Sequence, residues 1–184
     1  MYDNIVHEHV GYYALHHMNW IMEKIGLEIF NVTTNDVYGG SLRLFIKKRG
    51  CLKYKKSENY EQILLNEKKI KIYNLSTYKK FTKKIERTRQ DLLVLCKKIK
   101  SQKKSIWIYG ASTKGNTILQ YSGINSKTIK YVADSNLFKI GKYMIGSNVK
   151  IKTEEDMRIV KPDYLFVLPY SFINRFLKWE TDLI

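Results

Sequence analysis

Four histidines fall within the first 17 residues, at His7, His9, His16 and His17, and Glu8 stands between the first two. An imidazole exchanges a proton near neutral pH and a neighbouring carboxylate raises its basicity, so the chemistry this cluster offers is proton abstraction from a bound substrate. In an extended stretch His7 and His9 point to opposite faces, which argues against a shared metal ion, and no metal site is expected. His16 and His17 flank a helical apolar stripe and read as packing or surface residues. For His9, spacing leaves two roles open: a general base, or a hydrogen-bonded structural histidine.

A second candidate is Gly110-Ala111-Ser112-Thr113-Lys114-Gly115-Asn116-Thr117, which approaches two phosphate patterns and meets neither. Ser112 stands at the middle glycine of G-x-G-x-x-G, and Asn116 stands at the lysine of G-x-x-x-x-G-K-[ST]. A glycine-bounded turn from strand to helix can still aim backbone amides and a helix N-terminus at an anion, with Lys114 adding charge. Asp134 closes the following strand, where a carboxylate can accept ribose hydroxyls. The architectural alternative is that Gly110 and Gly115 permit a tight turn and Asp134 caps it.

The elements that must position these groups follow from periodicity. Leu15, Met18, Met22 and Ile25 line one face of a helix over 12–26, closed by Gly26. Strands are expected at 27–34 and 41–47, joined by a turn at Tyr38-Gly39-Gly40, with residues 7–9 as the end of a preceding strand. Residues 50–71 read as a partly ordered linker with a short helix at 60–65. A long helix over 76–101, capped by Ser76, carries Tyr78, Phe81, Ile85, Leu92, Leu95 and Ile99; at 1.5 Å per residue it spans about 40 Å. From Ser105 onward, strands at 105–109, 129–133, 149–151 and 163–168 alternate with helices at 116–122, from Thr153 and at 171–183. That alternation argues for a parallel, doubly wound sheet. The predicted class is therefore α/β: a partial Rossmann unit over 1–49, a basic linker and connecting helix over 50–104, and a Rossmann-like unit over 105–184.

The formal charge of +16 invites a nucleic-acid reading. Of the 33 basic and 17 acidic residues, however, 20 basic and 5 acidic lie between Lys47 and Lys104. Lysine outnumbers arginine there and aromatics are not interleaved as stacking platforms, so a solvated helix face is the simpler explanation. Two cysteines, Cys51 and Cys96, make no disulfide framework and point to a reducing compartment. No run of about 18 apolar residues is present, so no membrane span is expected and the protein reads as cytoplasmic.

Five blocks in order resemble the C-terminal half of the S-adenosylmethionine-dependent sugar C-methyltransferases. They are His7-Glu8-His9-Val10-Gly11-Tyr12-Tyr13, Tyr38-Gly39-Gly40-Ser41-Leu42-Arg43, the 110–117 loop, Tyr131-Val132-Ala133-Asp134 and 161–169. The resemblance implies a zinc domain, a Rossmann domain for S-adenosylmethionine and a C-terminal α/β domain that helps hold a nucleotide-linked keto-deoxysugar. It implies His9 as the base that generates an enolate, with Glu8 as its partner, and attack of that enolate on the cofactor's methyl group. It places Gly39 and Gly40 near substrate, and Ser112, Lys114, Gly115, Asn116 and Asp134 around the nucleotide. The zinc cysteines and the early glycine-rich cofactor loop have no counterpart here. The chain is therefore expected to act as a fragment, inactive and without S-adenosylmethionine when alone, and to associate with a complementary N-terminal domain or chain. The rival is a nucleotide or nucleotide-sugar binding module without chemistry.

Overall fold

The computed structural model describes residues 2–36 and 40–181, which form two compact units: residues 10–83, and residues 1–9 with 84–184. Gly39, expected near substrate, lies outside the described residues.

In the first unit, α1 (Leu15–Lys24), β1 (Leu27–Asn35), β2 (Ser41–Lys48) and α2 (Glu58–Lys69) follow in order. The predicted α1 stripe holds for Leu15, Met18 and Met22, which pack on Ile29 and Val32 of β1 and on Tyr60, Ile63 and Leu64 of α2. Ile25 caps the helix and is exposed. The helix begins at Leu15 rather than Tyr12 because its first amides are satisfied from far along the chain: the Glu67 carboxylate accepts from Leu15 N at 2.6 Å and His16 N at 3.1 Å. β1 and β2 pair antiparallel, with an irregularity between Ile29 and Asn31 that brings Ile29 and Val32 to the same face, one residue out of strict alternation. Ser57 caps α2, accepting from Tyr60 N, and sets its start at Glu58; the helix runs on to Lys69, longer at both ends than the expected 60–65.

α3 (Leu75–Ser101) contains the boundary between the units, and within the second unit its Leu92, Leu93, Cys96 and Ile99 face inward or pack on the core. Leu95, assigned to the stripe from spacing, is exposed. Then come β3 (Ile106–Tyr109), α4 (Thr113–Ser122), β4 (Tyr131–Ala133), β5 (Lys150–Lys152), α5 (Glu154–Val160), β6 (Tyr164–Val167) and α6 (Ile173–Trp179). The strands are parallel in the order β5-β4-β3-β6. Alternation along them sends Ile108, Val132 and Ile151 to Leu119 and Cys96 on one face, and Trp107, Tyr109 and Ala133 to Met157 and Phe176 on the other. Helices thus cover both faces of a Rossmann-like sheet, and the α/β expectation with a long helix and a parallel sheet holds. The strand order reverses between β3 and β6, the place where open α/β sheets present ligand crevices.

The packing divides the chain differently from the stretches read in sequence. Tyr60 of the supposed linker is core in the first unit, whereas the N-terminal residues bind to α4 through Thr117 Oγ1, which donates to the Ile5 carbonyl at 3.3 Å. Among the described residues no helix is long and apolar enough to cross a membrane.

Candidate functional site

The N-terminal segment is not extended. A 3-10 turn at Tyr2–Asn4 leads into a turn at His7-Glu8, closed by His9 N donating to the Val6 carbonyl at 3.0 Å. The opposite-face argument against metal binding therefore loses its geometric basis, although no group of three metal-ligating side chains occurs among the described residues. Glu8 lies 3.4 Å from Nδ1 of His7. Nδ1 of His9 lies 2.8 Å from the Asn4 carbonyl. A carbonyl only accepts, so Nδ1 is the donor in this hydrogen bond.

This segment lies against α4. The ring of Tyr2 packs on Tyr121 at 5.8 Å, and a cleft of about 570 Å³ opens between His7 and Glu8 on one side and Thr113, Asn116 and Thr117 on the other. The latter three share a helix face at i, i+3 and i+4. Oδ1 of Asn116 is enclosed, with no hydrogen-bond donor among the described residues. Glu8 and Asn116 of the expected site thus border one cleft, whose lining does not include His9.

The loop after β3 is held from within. Gly110 sits at φ +86°, and Ser112 caps α4 by accepting from Gly115 N at 3.0 Å, so the helix starts at Thr113 instead of Asn116. Asp134 Oδ2 accepts from Ala111 N at 2.7 Å and from Lys139 Nζ at 3.3 Å, while Oδ1 accepts from Asn136 N at 2.9 Å. In this structure Asp134 braces the loop. A Cβ on Gly110 would stand 2.6 Å from Pro169 Cγ, and one on Gly115 would stand 2.5 Å from Leu168 Cδ1. Gly110 thus supplies the tight turn and Gly115 the close packing of helix on strand end, as the first and third glycines of a dinucleotide fingerprint do. Gly115→Ala is expected to lower stability by about 1–3 kcal/mol through overpacking against the buried Leu168, read as a lower urea midpoint at unchanged slope.

In the 110–115 turn Ser112 stands where the ligand-facing second glycine of a dinucleotide fingerprint would be, and Pro169 and Leu168 pack against the two glycines that are present.

The remaining expected residue, Gly40, belongs to the first unit, at φ +120° beside the Asp36 end of the hairpin. His16 and His17 are structural there: His16 Nδ1 lies 3.1 Å from Glu67, its ring contacts that of His17 at 3.6 Å, and His17 Nδ1 accepts from Ala14 N.

One group escaped sequence reasoning. Glu180, nearly fully buried, accepts from Arg158 Nε at 2.9 Å and Nη2 at 2.6 Å, and from the Tyr109 hydroxyl at 2.8 Å. Arg158 also reaches Glu154 at 3.0 Å. The Arg158 hydrogen bonds hold the Glu180 carboxyl below the usual carboxylate range, while burial and Glu180 push the Tyr109 phenol up. Tyr109 immediately precedes Gly110, so this network fixes the end of β3 from the sheet's other face.

Residues 36–184 match the family described as the C-methyltransferase C-terminal domain. The whole chain aligns over 183 residues with the C-methyltransferase NovU of Streptomyces niveus at 28% identity. That alignment covers 43% of the relative, so the chain spans less than half of its length.

Proposed function

Because this chain belongs to the family of C-methyltransferase C-terminal domains, we propose that it is the part of an S-adenosylmethionine-dependent C-methyltransferase that helps hold a nucleotide-linked keto-deoxysugar and removes the proton beside its ketone. His9 is the base. Its Nε2 takes the proton, and the electron pair of the C–H bond passes into the enolate. Glu8 adds negative charge beside the histidines. Ser112, Gly115 and Asp134 shape the turn from which Lys114 and Asn116 serve the nucleotide, and Gly39 and Gly40 contribute on the substrate side.

The observation that supports this reading is the enclosed Oδ1 of Asn116, which has no hydrogen-bond donor among the described residues and belongs to a cleft that Glu8, the neighbour of His9, also borders. In the complete enzyme S-adenosylmethionine supplies an electrophilic methyl group, and we place its binding site outside these 184 residues, on the same chain or a complementary one.

Calorimetric titration of the chain tests the assignment. A thymidine diphosphate deoxysugar is expected to bind, with affinity reduced about tenfold by Asn116→Ala, the scale of one lost hydrogen bond, and unaffected by His9→Ala. S-adenosylmethionine is expected to give no heat of binding. Tight binding of S-adenosylmethionine to the isolated chain would reject the division of labour proposed here.

A further inference from the structure

The amino ends of β3 and β4, at the edge of the sheet away from the 110–115 loop, border a cleft of about 590 Å³ whose lining includes Lys100, Lys103, Lys104, Lys127 and Lys130. Two separate stretches deliver these lysines: the end of α3 carries Lys100 and the turn after it Lys103 and Lys104, and the link between α4 and β4 carries Lys127 and Lys130. Lysines in the last turn of a helix complement its dipole, which accounts for Lys100. Nothing of that kind calls for Lys127 and Lys130 on the facing rim.

The carboxylate beside this cluster is Asp163, and it is already engaged. Its Oδ2 accepts from Ser105 N and Ser105 Oγ, each at 2.7 Å, and its Oδ1 lies 3.8 Å from Lys104 Nζ. The Ser105 amide holds the Asp163 carboxyl below its ordinary range. Lys100, Lys103, Lys127 and Lys130 have no carboxylate partner among the described residues. Like charges gathered on two rims repel, and a ligand with adjacent negative charges removes that repulsion. Lysine ammonium groups serve phosphate as point charges. The cleft has the size of a small-molecule site, and its wall includes Tyr131, partly exposed and 4.9 Å from the Trp107 ring, against which a planar group can lie.

We propose that this amino-edge cleft binds small molecules bearing adjacent phosphates, such as inorganic pyrophosphate or a nucleoside diphosphate. The proposal is independent of the methyltransferase reading and of the cleft bordered by Glu8 and Asn116.

Titration calorimetry on the whole chain with pyrophosphate, orthophosphate and thymidine diphosphate tests it. Pyrophosphate binds more tightly than orthophosphate, and Lys127→Glu/Lys130→Glu weakens it by about tenfold or more. Lys79→Glu/Lys80→Glu, an equal charge change on exposed residues of α3 outside the cleft, leaves it within about twofold. Tyr131→Ala weakens thymidine diphosphate and spares pyrophosphate, which separates a nucleotide from free pyrophosphate as the natural occupant. Thymidine diphosphate heat that responds to Asn116→Ala but not to the Lys127/Lys130 pair belongs to the other cleft and overturns a nucleotide at this one. Absence of pyrophosphate binding, or an equal loss in the two charge-reversed pairs, overturns the proposal. So does a single-stranded oligonucleotide that binds about a hundredfold tighter and displaces pyrophosphate, because it marks the surface as one for nucleic acid.

Discussion

His9→Asn in a full-length enzyme is expected to lower kcat by about 10²–10⁴-fold, the range a positioned general base contributes. Asparagine is the informative replacement because its side-chain amide can donate to the Asn4 carbonyl as Nδ1 of His9 does, so the turn at residues 4–9 is kept. What disappears is the basic nitrogen. A group that acts only on the reacting proton contributes in the transition state and not in the ground state, so kcat/KM should fall by the same factor while nucleotide-sugar affinity stays unchanged. The matching barrier increase is about 3–5 kcal/mol. Solvent exchange of the proton beside the ketone, followed by NMR without methyl transfer, should vanish with the same substitution. Undiminished turnover in the His9→Asn enzyme would leave the chain as a nucleotide-sugar binding module with a structural histidine.

Glu180→Ala is expected to be the most damaging single substitution for stability. It strips the partner from a buried phenol at Tyr109 and two hydrogen bonds from Arg158. Removing one member of a buried ion pair costs about 3–5 kcal/mol. Arg158 keeps Glu154 and is 44% exposed, which lets water take up part of its charge and lowers the expectation to about 2–4 kcal/mol. Urea titration measures it, and a loss under about 1 kcal/mol contradicts the account. The pH dependence has a definite sign. The Glu180 carboxyl is depressed in the folded state, so its contribution is complete above the unfolded carboxylate value of about 4.3 and is lost as pH falls toward and through the folded value. Tyr109 is raised, so its contribution is complete below the unfolded phenol value of about 10 and is lost in stronger alkali. Glu180→Gln should flatten the acid limb of a melting-temperature profile.

Local pattern carried the architecture. Alternation from β3 through β6, the glycine at the end of β3 and the capping box at Thr153 each act over a few residues, and the parallel order with helices on both faces followed. Boundaries failed where the deciding partner was remote. Glu67 caps α1 from more than fifty positions away, so no residue near Ala14 advertises the start at Leu15. Ser112 was read as loop because the flanking glycines signal a turn, although its hydroxyl was a visible cap for α4. At the site, Asn116 was legible as part of a helix N-terminus, whereas the Asn4 carbonyl that orients His9 was not, since backbone acceptors have no side-chain signature. Arg158 and Glu180 were invisible for the reason Glu67 was: the contact is made by the fold.

The seating of Pro169 on Gly110 and of Leu168 on Gly115 restricts how this domain can drift in evolution. A side chain at position 110 must displace a proline ring as well as adopt a left-handed backbone, so positions 110 and 169 are expected to change together or not at all. Among related chains, those that lose the glycine should also have lost the ring opposite it. Relatives that commonly carry alanine in place of Gly110 while keeping Pro169 would show that the clasp is looser than its geometry indicates.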